Sequence, residues 1–280
     1  MQTMDLLQML ANRTEKEIPM NEGDYIKDGL LCCGKCNTPK QGKYEVGEGV
    51  FLKPRILCKC ETEKRDKEEK EEKEKKRLLY IEQLRKSGFQ DEKLINYSFE
   101  NDISADSKQS QAFRRYCDKW QEMREKNIGL LLFGDCGTGK SFYARCIANE
   151  ILNRYATPVI VTSIPRILNQ LFDTENKNEN IHRLATAPLL ILDDFGTERE
   201  TDYALEQVFT IIDERYKAEK PIIITTNLNY DQLKKPADIR YKRIYDRIIE
   251  MAVPFSLAGL SIRNQKAAEK KAIAKKLLFE

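Results

Sequence analysis

The chain contains one histidine and one tryptophan in 280 residues. The histidine, His182, lies in a polar segment and reads as a solvated loop residue, so chemistry that needs a histidine dyad is excluded. No run of eighteen apolar residues occurs, and the N-terminus lacks a secretory pattern, which predicts a cytoplasmic protein without a membrane-spanning helix. Neither sign of charge dominates: 48 basic and 45 acidic residues leave a net charge of +3. That balance does not by itself imply nucleic acid, though it is compatible with a local basic face. In a reducing compartment the 8 cysteines act as thiols or metal ligands rather than disulfides. The length accommodates one full α/β domain plus a small appendage.

What is present is concentrated in one stretch. Leu130-Leu131-Leu132-Phe133 is a buried-strand run, and Gly134-Asp135-Cys136-Gly137-Thr138-Gly139-Lys140-Ser141 follows it as G-x-x-x-x-G-K-S. Glycines here let the backbone turn tightly and aim N–H groups at phosphate oxygens, at the start of a helix whose dipole favours an anion. Lys140 is placed to reach the β- and γ-phosphates and the Ser141 hydroxyl to ligate Mg²⁺. Cys136 sits inside the loop and is assigned no role of its own. The pattern predicts binding of a nucleoside triphosphate.

Around this loop the chain divides into segments: 1–60, 61–93, 94–265 and 266–280. The first begins with an apolar-periodic stretch, Leu6, Leu7, Met9 and Leu10, and continues into a cysteine-rich region in which Tyr44 to Leu57 has the composition of a small hairpin. Residues 61–86 are almost purely charged, with acid-to-base pairs such as Glu69–Lys73 and Glu72–Lys76 that predict a solvated helical linker. The third segment carries a helix over 107–126, strands at 128–133, 158–162, 188–193 and 221–227, and helical patterns at 142–155 and 202–217. Non-alternating strands separated by helices predict a parallel sheet covered on both faces. The tail is basic, with Lys266, Lys270, Lys271, Lys275 and Lys276, and a solvated helix accounts for it.

The strand Leu189-Leu190-Ile191-Leu192 ends in Asp193-Asp194. Asp193, at the carboxyl end, is placed to hold Mg²⁺ beside Ser141. Asp194 is a candidate to polarise the attacking water, with a helix cap or surface acid as the plain alternative. Asn227 ends the next apolar strand, where it serves as a sensor of the γ-phosphate or as a turn former. Arg240, Arg243 and Arg247 recur at helical spacing and Arg263 follows. Phosphoryl transfer needs positive charge to offset the negative charge of the transferring group, often from an arginine of a neighbouring subunit, and spacing alone does not select which arginine supplies it.

Cys33-x-x-Cys36 and Cys58-x-Cys60 form two close pairs. Four thiolates from two such knuckles suit tetrahedral Zn²⁺ in a structural role, because no ligand position is left open. Cys32 competes with Cys33 as the ligand.

Taken in order, Gly134 to Ser141, Asp193-Asp194-Phe195-Gly196, Thr225-Thr226-Asn227, Asp246-Arg247 and Ser261-Ile262-Arg263 resemble the DnaC-like helicase loaders, AAA+ ATPases related to DnaI-type loaders and to IstB transposition helpers. The resemblance implies an AAA+ P-loop fold, with a parallel sheet between helices, preceded by a zinc-binding module. It assigns Arg247 as the arginine finger, with Arg243 the runner-up, and Arg263 as a sensor that contacts ATP within its own subunit. It also implies that the chain self-associates through the ATP site, binds a hexameric replicative helicase of the DnaB type through residues 1–60, and deposits it on single-stranded DNA. The alternative is an IstB-like helper that binds duplex DNA and a transposase; the cysteine module and charged linker favour the loader.

Overall fold

A computed structural model describes residues 18–47, 49–89, 96–172, 175–196, 201–236, 238–258, 270–271 and 273–278. The expected N-terminal apolar segment, Arg263 and Lys266 lie outside these residues, whereas Lys270, Lys271, Lys275 and Lys276 of the basic tail are exposed and helical. The chain divides into two compact units, Met1–Leu78 and Leu79–Glu280, with the boundary inside one helix, Lys59–Gly88. Among the described residues no helix is long and apolar enough to cross a membrane.

The first unit is held by very little apolar surface. Two antiparallel hairpins, β1 (Tyr25–Lys27) with β2 (Leu30–Cys32) and β3 (Tyr44–Gly47) with β4 (Val50–Leu52), are its only strands among the described residues. The β1–β2 turn places Asp28 and Gly29 at φ values of 53° and 73°, the conformation that an Asp-Gly pair accepts in a tight hairpin. A buried ion pair fixes the hairpin from behind, with Lys40 Nζ 2.7 Å from Asp24 Oδ2. The Lys40 ammonium, with the Asn21 and Gly34 amides, holds the Asp24 carboxyl down at about 2. From Lys59 the helix is almost entirely solvated, and pairs such as Glu72–Lys76 and Glu82–Lys86 tie successive turns at 2.6 and 2.9 Å.

The second unit is a parallel sheet of β5 (Gly129–Phe133), β6 (Val159–Ser163), β7 (Leu189–Phe195), β8 (Ile222–Thr226) and β9 (Ala252–Ser256), in the order β6-β7-β8-β5-β9. Alternate residues of each strand enter opposite cores. Leu130, Leu132, Val161 and Ile191 pack with Phe113, Ile147 and Ile151 on one face. Leu131, Ile160, Leu190 and Ile224 pack with Ile164, Ile211 and Ile248 on the other. This two-sided burial is why the strands read as continuous apolar runs. The end of the long helix reaches the outer strand: Phe89 bridges Val161, and a Cβ at Gly88 would meet the Val159 carbonyl oxygen at 2.0 Å. Only glycine fits there.

Two expectations need correction. The single helix over 107–126 is two helices, Lys108–Asp118 and Trp120–Glu125, broken at Lys119 with φ −101° and ψ 21°. The break lets Trp120 bury itself and donate from Nε1 to Thr157 Oγ1 at 3.3 Å. His182 is not in a loop: the stretch between β6 and β7 contains the helices Ile164–Phe172 and Lys177–Thr186, and His182 is exposed on the second.

Candidate nucleotide site and metal centre

The loop between β5 and the helix Lys140–Tyr155 is shaped by its glycines. Gly134, Gly137 and Gly139 all have positive φ, and a Cβ at Gly134 would meet the Leu257 carbonyl oxygen at 2.3 Å. Lys140 is buried, with Nζ donating to the carbonyls of Gly134 and Asp135 at 2.7 Å each. The loop therefore holds a cation at its own mouth, on carbonyl oxygens that a phosphate can replace.

One cavity of about 520 Å³ collects most of the expected site. Cys136, Gly137, Thr138, Gly139, Lys140 and Ser141 line it together with Asp194 and Asn227. Its other wall is the segment before β5, including Tyr97, Asn101, Asp102, Ser104 and Ser107, which sequence reasoning did not assign. Asp102 is fixed there by the hydroxyls of Ser110 and Tyr143, which donate to it at 2.5 and 3.1 Å.

Asp193 is buried at the carboxyl end of β7. Thr225 Oγ1 donates to its Oδ1 at 2.6 Å and Arg145 Nη2 donates to its Oδ2 at 3.0 Å. The register of β7 on β8 shifts between Leu192 and Phe195, and Asp194 within that bulge has φ 55°. Its N–H, diverted from the ladder, bonds Thr225 Oγ1 at 2.9 Å. The bulge puts consecutive aspartates to different uses, with Asp193 buried on Thr225 and Asp194 exposed at the cavity. Thr225 thus touches both, a role that the sequence motif did not reveal.

Arg247 is held elsewhere by its own chain. Its Nη2 lies 2.6 Å from Asp213 Oδ1, and its guanidinium sits over the rings of Phe209 and Tyr216, at 4.9 and 5.7 Å from the centroids. Arg240 pairs with Asp202 and Asp238 at 2.6 Å each. Arg243 is exposed one turn before Arg247 on the helix Ile239–Met251. None of these three lines the cavity.

In the first unit Cys33, Cys36, Cys58 and Cys60 place their Sγ atoms within 4.8 Å of one another. The Cys33–Cys60 and Cys58–Cys60 separations are 3.6 and 3.3 Å. A tetrahedral ion with bonds of about 2.3 Å sets its thiolates about 3.8 Å apart, so the donor set fits Zn²⁺. Cys58 precedes the long helix and Cys60 lies in its first turn, which explains the tight C-x-C spacing. Cys32 is not in the cluster; its Sγ faces the Leu30 carbonyl at 3.8 Å. The amides of Cys36 and Lys35 hold the Cys33 thiol below its ordinary value, and the Thr38 hydroxyl with the Cys60 amide brings Cys36 to about 5. Burial pushes the Cys58 thiol up.

Comparison with known proteins follows the same lines. The family model described as IstB-like ATP binding protein matches residues 62–270. The replicative helicase loader DnaI of Bacillus subtilis is 26% identical over 198 residues, covering 65% of this chain and 63% of the loader. The phage-like element PBSX protein XkdC of the same organism is 25% identical over 247 residues, covering 83% of this chain and 85% of that protein. A crystal structure of the DnaC helicase loader superposes with a TM-score of 0.52 at 23% identity, covering 60% of this chain and 100% of that one, a likeness of fold. The chain thus spans less than two thirds of the DnaI loader's length.

Proposed function

This chain belongs to the IstB-like ATP-binding protein family, as a P-loop ATPase, and we propose that it loads a hexameric replicative helicase onto single-stranded DNA under control of ATP. The observation that carries this reading is the convergence of Cys136–Ser141, Asp194 and Asn227 on one cavity, in a chain similar to the loader DnaI. Lys140 exchanges its two loop carbonyls for the β- and γ-phosphates, while the N–H groups of 134–141 cradle them. Ser141 and Asp193 hold Mg²⁺, which offsets phosphate charge when bound. Asp194 polarises the attacking water and Asn227 orients it toward the γ-phosphate. Arg263 contacts ATP within the subunit.

Arg247 completes the site of a neighbouring subunit. Asp213, Phe209 and Tyr216 pre-position it there, and Arg243 on the same helix is its runner-up. A finger supplied in trans makes ATP the adhesive between copies, so that nucleotide state governs assembly and grip on DNA.

Residues 1–60 form the partner-binding module, with Zn²⁺ on Cys33, Cys36, Cys58 and Cys60 replacing an apolar core; 61–93 form the linker, 94–265 the AAA+ domain and 266–280 the basic tail. Metal analysis of the purified chain is expected to give about one zinc per chain, and Cys58→Ser to lose it together with the fold of the first unit. A Cys58→Ser protein that keeps both its zinc and its hairpins would remove the metal centre.

Co-purification with the host or element-encoded replicative helicase, with and without ATP, tests the function. Retention of the helicase by the full chain, lost on truncation before residue 61 while ATP binding persists, is the expected result. Failure to retain helicase, with binding of duplex DNA and a transposase instead, would establish the transposition helper.

A further inference from the structure

Arg145 lies one turn beyond Ser141 on the phosphate-loop helix, and Asn149 one turn beyond Arg145. This i, i+4, i+8 stack faces the end of β7 and the segment before β5 together. Arg145 Nη2 donates to Asp193 Oδ2 at 3.0 Å, while Nη1 donates to the Tyr97 hydroxyl at 3.0 Å. Its guanidinium carbon lies 4.9 Å from the Tyr97 ring centroid. Asn149 Nδ2 donates to the Tyr97 carbonyl at 2.8 Å, so the helix holds Tyr97 by both side chain and backbone. Arg145 and Tyr97 both line the nucleotide cavity. Arg145 Nε is buried without a hydrogen-bond partner among the described residues, so the guanidinium is incompletely satisfied where it sits.

Both oxygens of Asp193 therefore carry donors, one neutral and one cationic. Thr225 can keep its bond to Oδ1 while Asp193 serves a metal. Arg145 cannot do so without placing its positive charge against a dication in a half-buried site, where the repulsion is weakly screened. We infer that Arg145 is the counter-ion of Asp193 and a positioning residue for Mg²⁺–ATP, exchanging Asp193 for the cavity when the metal is held and drawing the Tyr97 segment with it. The inference rests on the reading of Asp193 as a Mg²⁺ residue. It links the presence of metal-bound nucleotide to residues 96–102, through side chains rather than through the phosphate loop. The tether to Tyr97 limits the travel of the guanidinium, and its new position lies on the wall of the cavity where negative phosphate charge arrives.

The test is equilibrium binding of a fluorescent ATP analogue to the full chain across a Mg²⁺ titration. In Arg145→Gln the half-saturating Mg²⁺ is expected to fall about fivefold, the size of one half-buried charged pair. Arg145→Lys keeps the charge and is expected to stay within about twofold of the parent protein. An unchanged or raised Mg²⁺ requirement in folded Arg145→Gln overturns the inference. Amide hydrogen exchange over 96–102 in the parent protein gives a second measurement, independent of whether that variant folds. Exchange there is expected to differ between ATP with Mg²⁺ and ATP with chelator, and identical exchange also overturns it. Asp193→Asn tests the premise separately: an unaltered Mg²⁺ dependence in that variant removes Asp193 from the metal site, whatever Arg145→Gln does.

Discussion

Replacing Lys140 with alanine is expected to lower ATP affinity about a hundredfold, close to 2.7 kcal/mol, without unfolding the protein. The ammonium is buried in the loop and bonds the carbonyls of Gly134 and Asp135 at 2.7 Å. Phosphate oxygens are stronger acceptors than either carbonyl, so binding gains from the exchange and the variant loses that gain. The carbonyls of half-buried Gly134 and exposed Asp135 are free to turn to water once the side chain is gone. The glycine geometry of the loop does not depend on the lysine. Far-ultraviolet circular dichroism and the thermal midpoint are therefore expected to stay near those of the parent protein. Equilibrium binding measures the affinity, and parent-like affinity in the variant would dismiss the central assignment.

The largest effect on stability is expected at Arg215, a residue that does no chemistry. It is fully buried, and Nη1 donates to the carbonyls of Leu184, Ala185 and Ala187 while Nη2 donates to that of Pro221. These acceptors close the helix Lys177–Thr186 and open β7 and β8, so one guanidinium joins three elements. Burial depresses its pKa to about 9, and the group remains charged at neutral pH. Carbonyl dipoles at a helix C-terminus oppose that charge where no carboxylate is among its partners. Arg215→Met keeps the volume but strands four carbonyl groups. At about 1 kcal/mol each, the loss comes to roughly 3–5 kcal/mol, within the range for breaking a buried charged network. For a unit of this size that lowers the melting temperature by roughly 8–15 °C, which scanning calorimetry would resolve. Arg215→Lys should rescue little, since a compact ammonium does not span both groups of acceptors. A midpoint unchanged in Arg215→Met would show that water satisfies these carbonyls equally well.

The two predictions differ in how far the sequence foretold them. Lys140 announces itself, because eight consecutive residues encode both the turn and its ligand. Four of the five strands were equally plain, since burial on both faces removes polar interruptions from each. The fifth, β9, carries exposed Val253 and a proline, and its short run does not stand out. The hairpin at β1–β2 has strands of only three residues, too short for a periodic pattern, and Asp28-Gly29 is its one sequence signal. Arg215, Arg145 and Arg247 were illegible in a different sense. Each has partners 28 to 48 residues away in sequence, at the end of a strand or on a facing helix. Periodicity places a charge on a helix face, but it does not say what stands opposite. The spacing Ser141-Arg145-Asn149 was the one available hint, and it acquires significance only once β7 is seen to end beside it. Thr225 belongs with these: its motif was visible, its double contact with Asp193 and Asp194 was not.

The two outermost strands of the sheet have a consequence for the protein in concentrated solution. β6 would offer a free rim of backbone groups, but the Phe89 bridge to Val161 covers part of it. β9 forms the opposite rim, and Pro254 deprives it of one donor. A sheet so bordered is a poor template for strand-on-strand addition. Copies of the chain can then be crowded against one another without the runaway association that leads to fibrous aggregates. A change that loosens Gly88 and Phe89 from β6 should show itself first as insolubility, before any loss of nucleotide binding.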